Sequence, residues 1–354
     1  MKLCILGNGL TSLSLANSLI KKGIFVDIFS HQKNLDFNKN RTVGISKKNI
    51  DFFNEEILNV EKYLWNINQI EVYSENLKNE RILNFRNKNK PLFATIKNFE
   101  LQKQLLFKLK KNKLCNFKKK RDDKDLNLNE YNLIINCDSK NSITKKFFYK
   151  KLNKEYNSFA YTTIIKHKKI KNDVASQIFT RKGPLAFLPL SDIETSIVYS
   201  VKEERKIDLK KLVEKYNVKY SILNFNKPSL FELKSQNLRS YYYKNILAFG
   251  DLLHRLHPLA GQGFNMTLRD INELCQLIKF RLDHGLELDS SICDDFEKRT
   301  KHKNYLFSSG IDFVYEYFNL DNKMKNNILS KSAQLIGKNK FLNKSFEKIA
   351  NNGL

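Results

Sequence analysis

The period of the apolar positions changes several times along the chain, and each change marks an element. Residues 2–6, KLCIL, form a short continuous apolar run, the pattern of a strand buried on both faces. After Gly7-Asn8-Gly9, LTSLSLANSLIKKG carries apolar residues at helical spacing and stops at Gly23. IFVDIFS then predicts a second strand ending at Ser30, so the chain opens with a β-α-β unit. NRTVGISKKNIDFF leads into another helix, NFELQKQLLFKL (98–109) predicts a further one, and YNLIIN (131–136) a strand. Between 155 and 243, EYNSFAYTTIIKH, VASQIFT, GPLAFLPL and TSIVYSV have strand character, and DLKKLVEKYNVKY predicts a helix after Asp208. Pro184 and Pro189 predict a turn and an edge strand. A last strand, ILAF (246–249), precedes helices over 262–284, ending at Gly285, and from 290 through Phe318, then an amphipathic basic tail.

Two stretches of this pattern carry chemistry. The chain holds only twelve glycines, yet Gly250, Gly261 and Gly263 fall within fourteen residues. Glycine serves where the backbone needs positive φ or must admit a close neighbour. Asp251 follows a strand, at the end where open α/β sheets bind ligands. Gly261-Gln262-Gly263 opens a helix whose free N–H groups favour an electron-rich or anionic group. The residues alone also allow a plain strand–loop–helix joint. In the opening unit, Gly7, Gly9, Leu10 and Thr11 form a half-complete dinucleotide turn. Ser12 stands in place of the third glycine, and Ser30 in place of the acid that would bind a ribose.

GDLLHRLHPLAGQGFNMTLRD resembles the second flavin-binding motif of the FAD-dependent aromatic-ring hydroxylases (class A flavoprotein monooxygenases), in particular the branch acting on ubiquinone precursors. Gly250, Asp251, His254, His257, Pro258, Ala260, Gly261, Gln262, Gly263 and Asn265 match that motif; Leu252 and Leu253 replace its paired alanines. The resemblance implies that Asp251 binds the ribityl chain of FAD and that the Gly261–Gly263 helix start lies against the flavin ring. It extends to Arg41 and Ser46, to Trp65, to Gln102 as a cofactor contact, and to the strand pair Gln177–Leu190. Asp138, Asn141 and Ser142 match a Gly-Ala-Asp-Gly-x-x-Ser motif near the pyrophosphate, with Asn136 and Ser139 replacing its glycines. Those replacements predict Cβ bulk facing the phosphates.

The fold implied is α/β. A Rossmann-like, para-hydroxybenzoate-hydroxylase-like FAD domain (1–60, 96–150, 244–318) interleaves with an antiparallel-sheet substrate domain (61–95, 151–243), and 319–354 form a helical C-terminal segment. The activity implied is hydroxylation of the ring of a polyprenylated phenol in ubiquinone biosynthesis. FAD would be reduced by NAD(P)H and act through a flavin hydroperoxide, so no catalytic side chain is singled out. Two alternatives stay open: another flavin oxidoreductase of the same fold, or a non-catalytic flavoprotein partner in a biosynthetic complex.

Composition narrows the remaining classes. Hydrophobic residues make up 41% of the chain, with 15 Tyr and 26 Phe, which predicts a packed core. The net charge of +26 is spread along a Lys- and Asn-rich chain, and no nucleic-acid motif accompanies it. The five cysteines show no C-x-x-C, which points to reduced thiols and a cytoplasmic protein. His254 and His257 have no third partner at ligand spacing, so no metal is expected. The N-terminal apolar run is cut by Gly7, unlike a signal peptide, and no stretch approaches the ~18 apolar residues of a membrane span. Membrane contact, if made, is peripheral, through the basic amphipathic tail.

Overall fold

The structure is a computed structural model that describes residues 1–30, 39–78, 80–87, 90–119, 130–202, 207–257, 261–324 and 328–339. In chain order, β1 (Lys2–Leu6), α1 (Leu10–Lys21) and β2 (Phe25–Ser30) form the expected opening unit. They are followed by β3 (Thr42–Ser46), α2 (Lys47–Phe52), β4 (Trp65–Ile67), β5 (Gln69–Ser74), β6 (Glu80–Arg86), β7 (Phe93–Lys97), α3 (Asn98–Lys110), β8 (Cys115–Lys119), β9 (Leu133–Asn136) and α4 (Ser142–Phe147). A long strand, β10 (Lys151–His167), opens the second half. After it come β11 (Val174–Thr180), β12 (Gly183–Pro189), β13 (Glu194–Lys202), α5 (Leu209–Tyr216), β14 (Ile222–Phe225), β15 (Ser229–Leu238), β16 (Tyr242–Tyr243), β17 (Ile246–Ala248) and β18 (His254–Arg255). Helices α6 (Gln262–Asp283), α7 (Ser291–Met324) and α8 (Ile328–Lys338) close the described chain.

The five parallel strands stand in the order β8-β2-β1-β9-β17, with β16 added antiparallel at the β17 edge. Numbered along the chain this is 3-2-1-4-5, the doubly wound arrangement, whose direction of winding reverses between β1 and β9. The strands are continuous apolar runs buried on both faces: Leu3 to Leu6 and Leu133 to Ile135 are at most 1% exposed. Helix α1 is tied to α3 by the Asn17 amide, which donates to the Leu105 carbonyl, and to α6 by a Ser18–Cys275 contact of 2.9 Å.

The larger sheet runs β18-β15-β10-β13-β12-β11-β5-β6, with β14 paired to β10. It is antiparallel except where β5 lies parallel to β11. Strand β12 is interior, paired with β11 and β13, which corrects the expectation of an edge. The prolines are tolerated because Pro184 and Pro189 sit at the two ends of the strand, where a missing N–H removes no central ladder bond. A three-stranded sheet, β3-β7-β4, lies apart from both. Trp65 on β4 is partly buried and donates its indole N–H to the Asn172 carbonyl at 2.6 Å, an anchor between segments.

Candidate dinucleotide site

Three chain turns converge where the winding reverses. Strand β1 ends at Leu6 and runs into Gly7, β9 runs into Cys137-Asp138, and β17 leads through Phe249 to Gly250-Asp251. The register pairs Leu6 with Asn136 and Asn136 with Ala248, so the three C-terminal ends are level and adjacent. Gly7 has φ +107, and a Cβ on it would lie 3.3 Å from Ser12 Oγ and 3.6 Å from Asp138 Cβ. Ser12 is fully buried and packs against this turn, so serine keeps the helix-to-strand contact that a third glycine would allow. Gly250 has φ +62 and abuts Thr11. Gly9 has no heavy atom within 4 Å of its Cβ position, leaving the turn open to an approaching group.

Asp251 lies in a single 3-10 turn (250–252) and is exposed. Among the described residues no side chain or backbone group bonds its carboxylate. Asp138 is different, because one of its carboxylate oxygens accepts from the Lys140 N–H at 2.8 Å. Burial, together with the Asp251 and Asp138 charges, pushes the Cys137 thiol up to about 12, so it is no nucleophile at neutral pH.

The second helix start approaches from the small sheet. Gly261 takes φ +64 as the N-cap of α6, and its Cβ position is 3.7 Å from the backbone of Gly44 on β3. Gly44, an isolated glycine within a strand, is a site residue that the sequence reading passed over; such a glycine signals close backbone approach. Asn265 binds the two elements together. Its amide donates to the Gly44 and Gly261 carbonyls, and its oxygen accepts from the Ser46 N–H at 2.8 Å and the Asn49 amide at 2.9 Å. The Asn265 side chain is therefore a clamp behind the site rather than a group facing a ligand. Gln262 is 8% exposed, and its amide oxygen has no partner among the described residues, while the Cβ position of Gly263 is open.

Arg41 and Gln102 sit on flanking elements. The Arg41 carbonyl accepts from the Asn98 N–H, and its guanidinium lies 5.6 Å over the Phe231 ring of β15. Gln102 is partly buried on α3. Pro258 and Ala260 lie outside the described residues. His254 is buried and bonds the Asp270 carboxylate, which also accepts from Asn304 at 2.9 Å; this pair joins β18 to α6 and α7. The His257 ring lies tilted against that of Tyr315, with centroids 4.1 Å apart. A cleft of about 380 Å³, with Lys22, Asp51, Glu55, Glu56 and Lys279 in its lining, opens elsewhere and contains none of the candidate residues.

The arrangement suits a flavin dinucleotide on four counts. The Gly7–Gly9 turn and the α1 N-terminus suit a pyrophosphate, the exposed Asp251 carboxylate suits hydroxyl groups, the open Gly263 position admits a flat ring, and the Gln262 oxygen, without a partner among the described residues, suits an N–H donor.

Comparison with known proteins places the fold first. The crystal structure of p-nitrophenol 4-monooxygenase PnpA from Pseudomonas putida superposes with a TM-score of 0.79 at 11% identity, covering 99% of this chain and 98% of that one. A single-residue variant of Klebsiella pneumoniae HpxO complexed with FAD gives 0.76 at 11% identity, covering 99% of each. The fold is that of the FAD-dependent aromatic monooxygenases.

In sequence, the chain is similar to the ubiquinone biosynthesis monooxygenase COQ6 of Schizosaccharomyces pombe, with 24% identity over 274 residues, 63% of this chain and 57% of that protein. It is also 28% identical over 156 residues to 3-demethoxyubiquinol 3-hydroxylase of Escherichia coli, covering 41% of this chain and 40% of that one. The match thus spans about half the length of these curated relatives. No protein-family profile matches the chain.

Proposed function

We propose that this chain is an FAD-dependent monooxygenase that hydroxylates the aromatic ring of a polyprenylated ubiquinone precursor, with NAD(P)H as electron donor. The observation that carries the reading is the convergence of Gly7, Asp138 and Gly250-Asp251 at the ends of three adjacent strands, facing the turn that starts α1. FAD, when bound, would supply the oxygen chemistry. The chain's own residues do the rest. The Gly7–Thr11 turn offers N–H groups to the diphosphate, Asp251 accepts from the ribityl hydroxyls, and Gln262 and the α6 start hold the ring. In this reading 1–60, 96–150 and 244–318 carry the cofactor, and 61–95 with 151–243 shield the ring from water.

Peripheral membrane contact belongs to the same proposal; residues 325–327 and 340–354 of the basic tail expected to make it lie outside the described residues, and α7 offers a described face. Leu306, Phe313 and Leu320 recur every seven residues on one face of α7 and are 44%, 68% and 51% exposed. Exposed Arg299, His302 and Lys303 precede them. A net charge of +26 favours an anionic lipid surface and opposes a second copy of the chain. No described helix is long and apolar enough to cross a membrane. We place the protein in the cytoplasm, at the membrane surface.

The test is the visible spectrum of the purified protein, before and after anaerobic NADPH. Flavin bands that bleach support the reading. Bands that persist point to another donor or a non-catalytic flavoprotein, and failure to take up FAD overturns it.

A further inference from the structure

Asn136 ends β9 with its side chain fully buried and taken up by hydrogen bonds to the loop and helix that follow. Its amide oxygen accepts from the Asp138 N–H at 3.1 Å and from the Asn141 amide at 2.8 Å, and its own amide donates to the Thr144 hydroxyl at 2.8 Å. Thr144 passes the chain of bonds on, donating to the Asp138 carbonyl at 2.6 Å. Asn141 caps the following helical turn by accepting from the Thr144 N–H at 2.7 Å. Both backbone groups of Asp138 are thereby held, the N–H by Asn136 and the carbonyl by Thr144. Asp138 in turn forms the wall opposite Gly7.

We infer that Asn136 and Thr144 are positioning residues that set the Cys137–Asp138 wall of the dinucleotide cradle through a closed ring of buried hydrogen bonds. The inference rests on the flavin reading above. A loop with glycine at 136 would be free to choose its conformation. This one is fixed by side chains, and removing one member leaves buried donors and acceptors unmet. The wall is thus organised before the cofactor arrives, which lowers the ordering cost of binding.

The experiment measures FAD affinity by flavin fluorescence quenching, alongside hydrogen exchange of residues 137–139, in the wild type and in Asn136→Ala, Thr144→Val and Thr144→Ser. Thr144→Val removes the hydroxyl and keeps the shape; Thr144→Ser keeps the hydroxyl. The expected result is an FAD Kd raised at least tenfold, with faster exchange at 137–139, in Asn136→Ala and Thr144→Val, and near wild-type values in Thr144→Ser. Wild-type affinity and exchange in Thr144→Val overturn the inference and leave the flavin reading intact. A wild type that binds no FAD overturns both. Should Asn136→Ala fail to fold, the valine and serine pair at 144 decides the matter alone.

Discussion

Gly250 and Thr11 touch so closely that no side chain fits between them: a Cβ on Gly250 would lie 2.6 Å from Thr11 Cγ2 and 2.8 Å from its hydroxyl. The end of β17 is thereby pressed against the first turn of α1, which brings Asp251 beside the Gly7–Gly9 turn. Gly250→Ala must push the two apart and strain a backbone at φ +62. The expected outcome is a loss of about 1–3 kcal/mol in denaturant titration and loss of flavin retention on gel filtration. Thr11→Ala in the same background should restore part of both.

Asp251→Ala should separate binding from folding. The carboxylate is exposed and unbonded among the described residues, so the melting temperature should stay within about 2 °C. FAD affinity should fall at least tenfold by fluorescence titration. Full affinity in this variant would remove Asp251 from the site.

Asn265→Ala should do the reverse. Its buried amide meets Ser46, Gly44, Gly261 and Asn49, and truncation strands several of these groups at about 1–3 kcal/mol each. Thermal melting of the apoprotein should show the loss before any flavin measurement does.

Acid should destabilise the fold in two windows. Burial lowers His257 to about 3; the nearby Glu316 charge opposes this by raising it, and the Lys154 charge adds to the lowering. The folded imidazole thus stays neutral while the unfolded one protonates near its ordinary 6.5. Its contribution is complete above pH 6.5 and declines as pH falls toward 3. Burial opposes ionisation of Asp27, but bonds from Lys118, Tyr131, Lys2 and Asn116 outweigh it and bring the carboxyl down to about 2. That contribution is present above pH 3.8 and is lost as pH drops toward 2. His257→Phe, which preserves a ring against Tyr315, should flatten stability between pH 6 and 4 as read by urea titration.

Replacing Leu306, Phe313 and Leu320 with serine should abolish sedimentation with vesicles rich in anionic lipid while leaving the melting temperature near wild type, since all three side chains are exposed. Equal sedimentation of the triple variant would exclude this face.

Periodicity and glycine placement determined most of the architecture by themselves. The β-α-β opening, the strand before Gly250 and the helices from Gln262 onward were all legible, because buried strands and amphipathic helices impose local repeats that survive in one dimension. The helix end at Gly285 was legible for the same reason, its φ of +65 being a conformation that favours glycine. What a side chain faces is not local. Asn136 read as a lost glycine, and only the meeting of β9 with α4 gave its side chain the partners of a tether. Asn265 read as a match to the flavin-binding motif, and only the approach of β3 to α6 gave its amide the Gly44, Ser46 and Asn49 partners. The interior place of β11 depended on β5 joining it across a long chain separation. Gly44 gained meaning only when Gly261 came to lie against it. Hydrogen-bond partners far apart in sequence are chosen by packing, so the residue types named the chemistry available at this site, and the tertiary structure decided which groups were left free to use it.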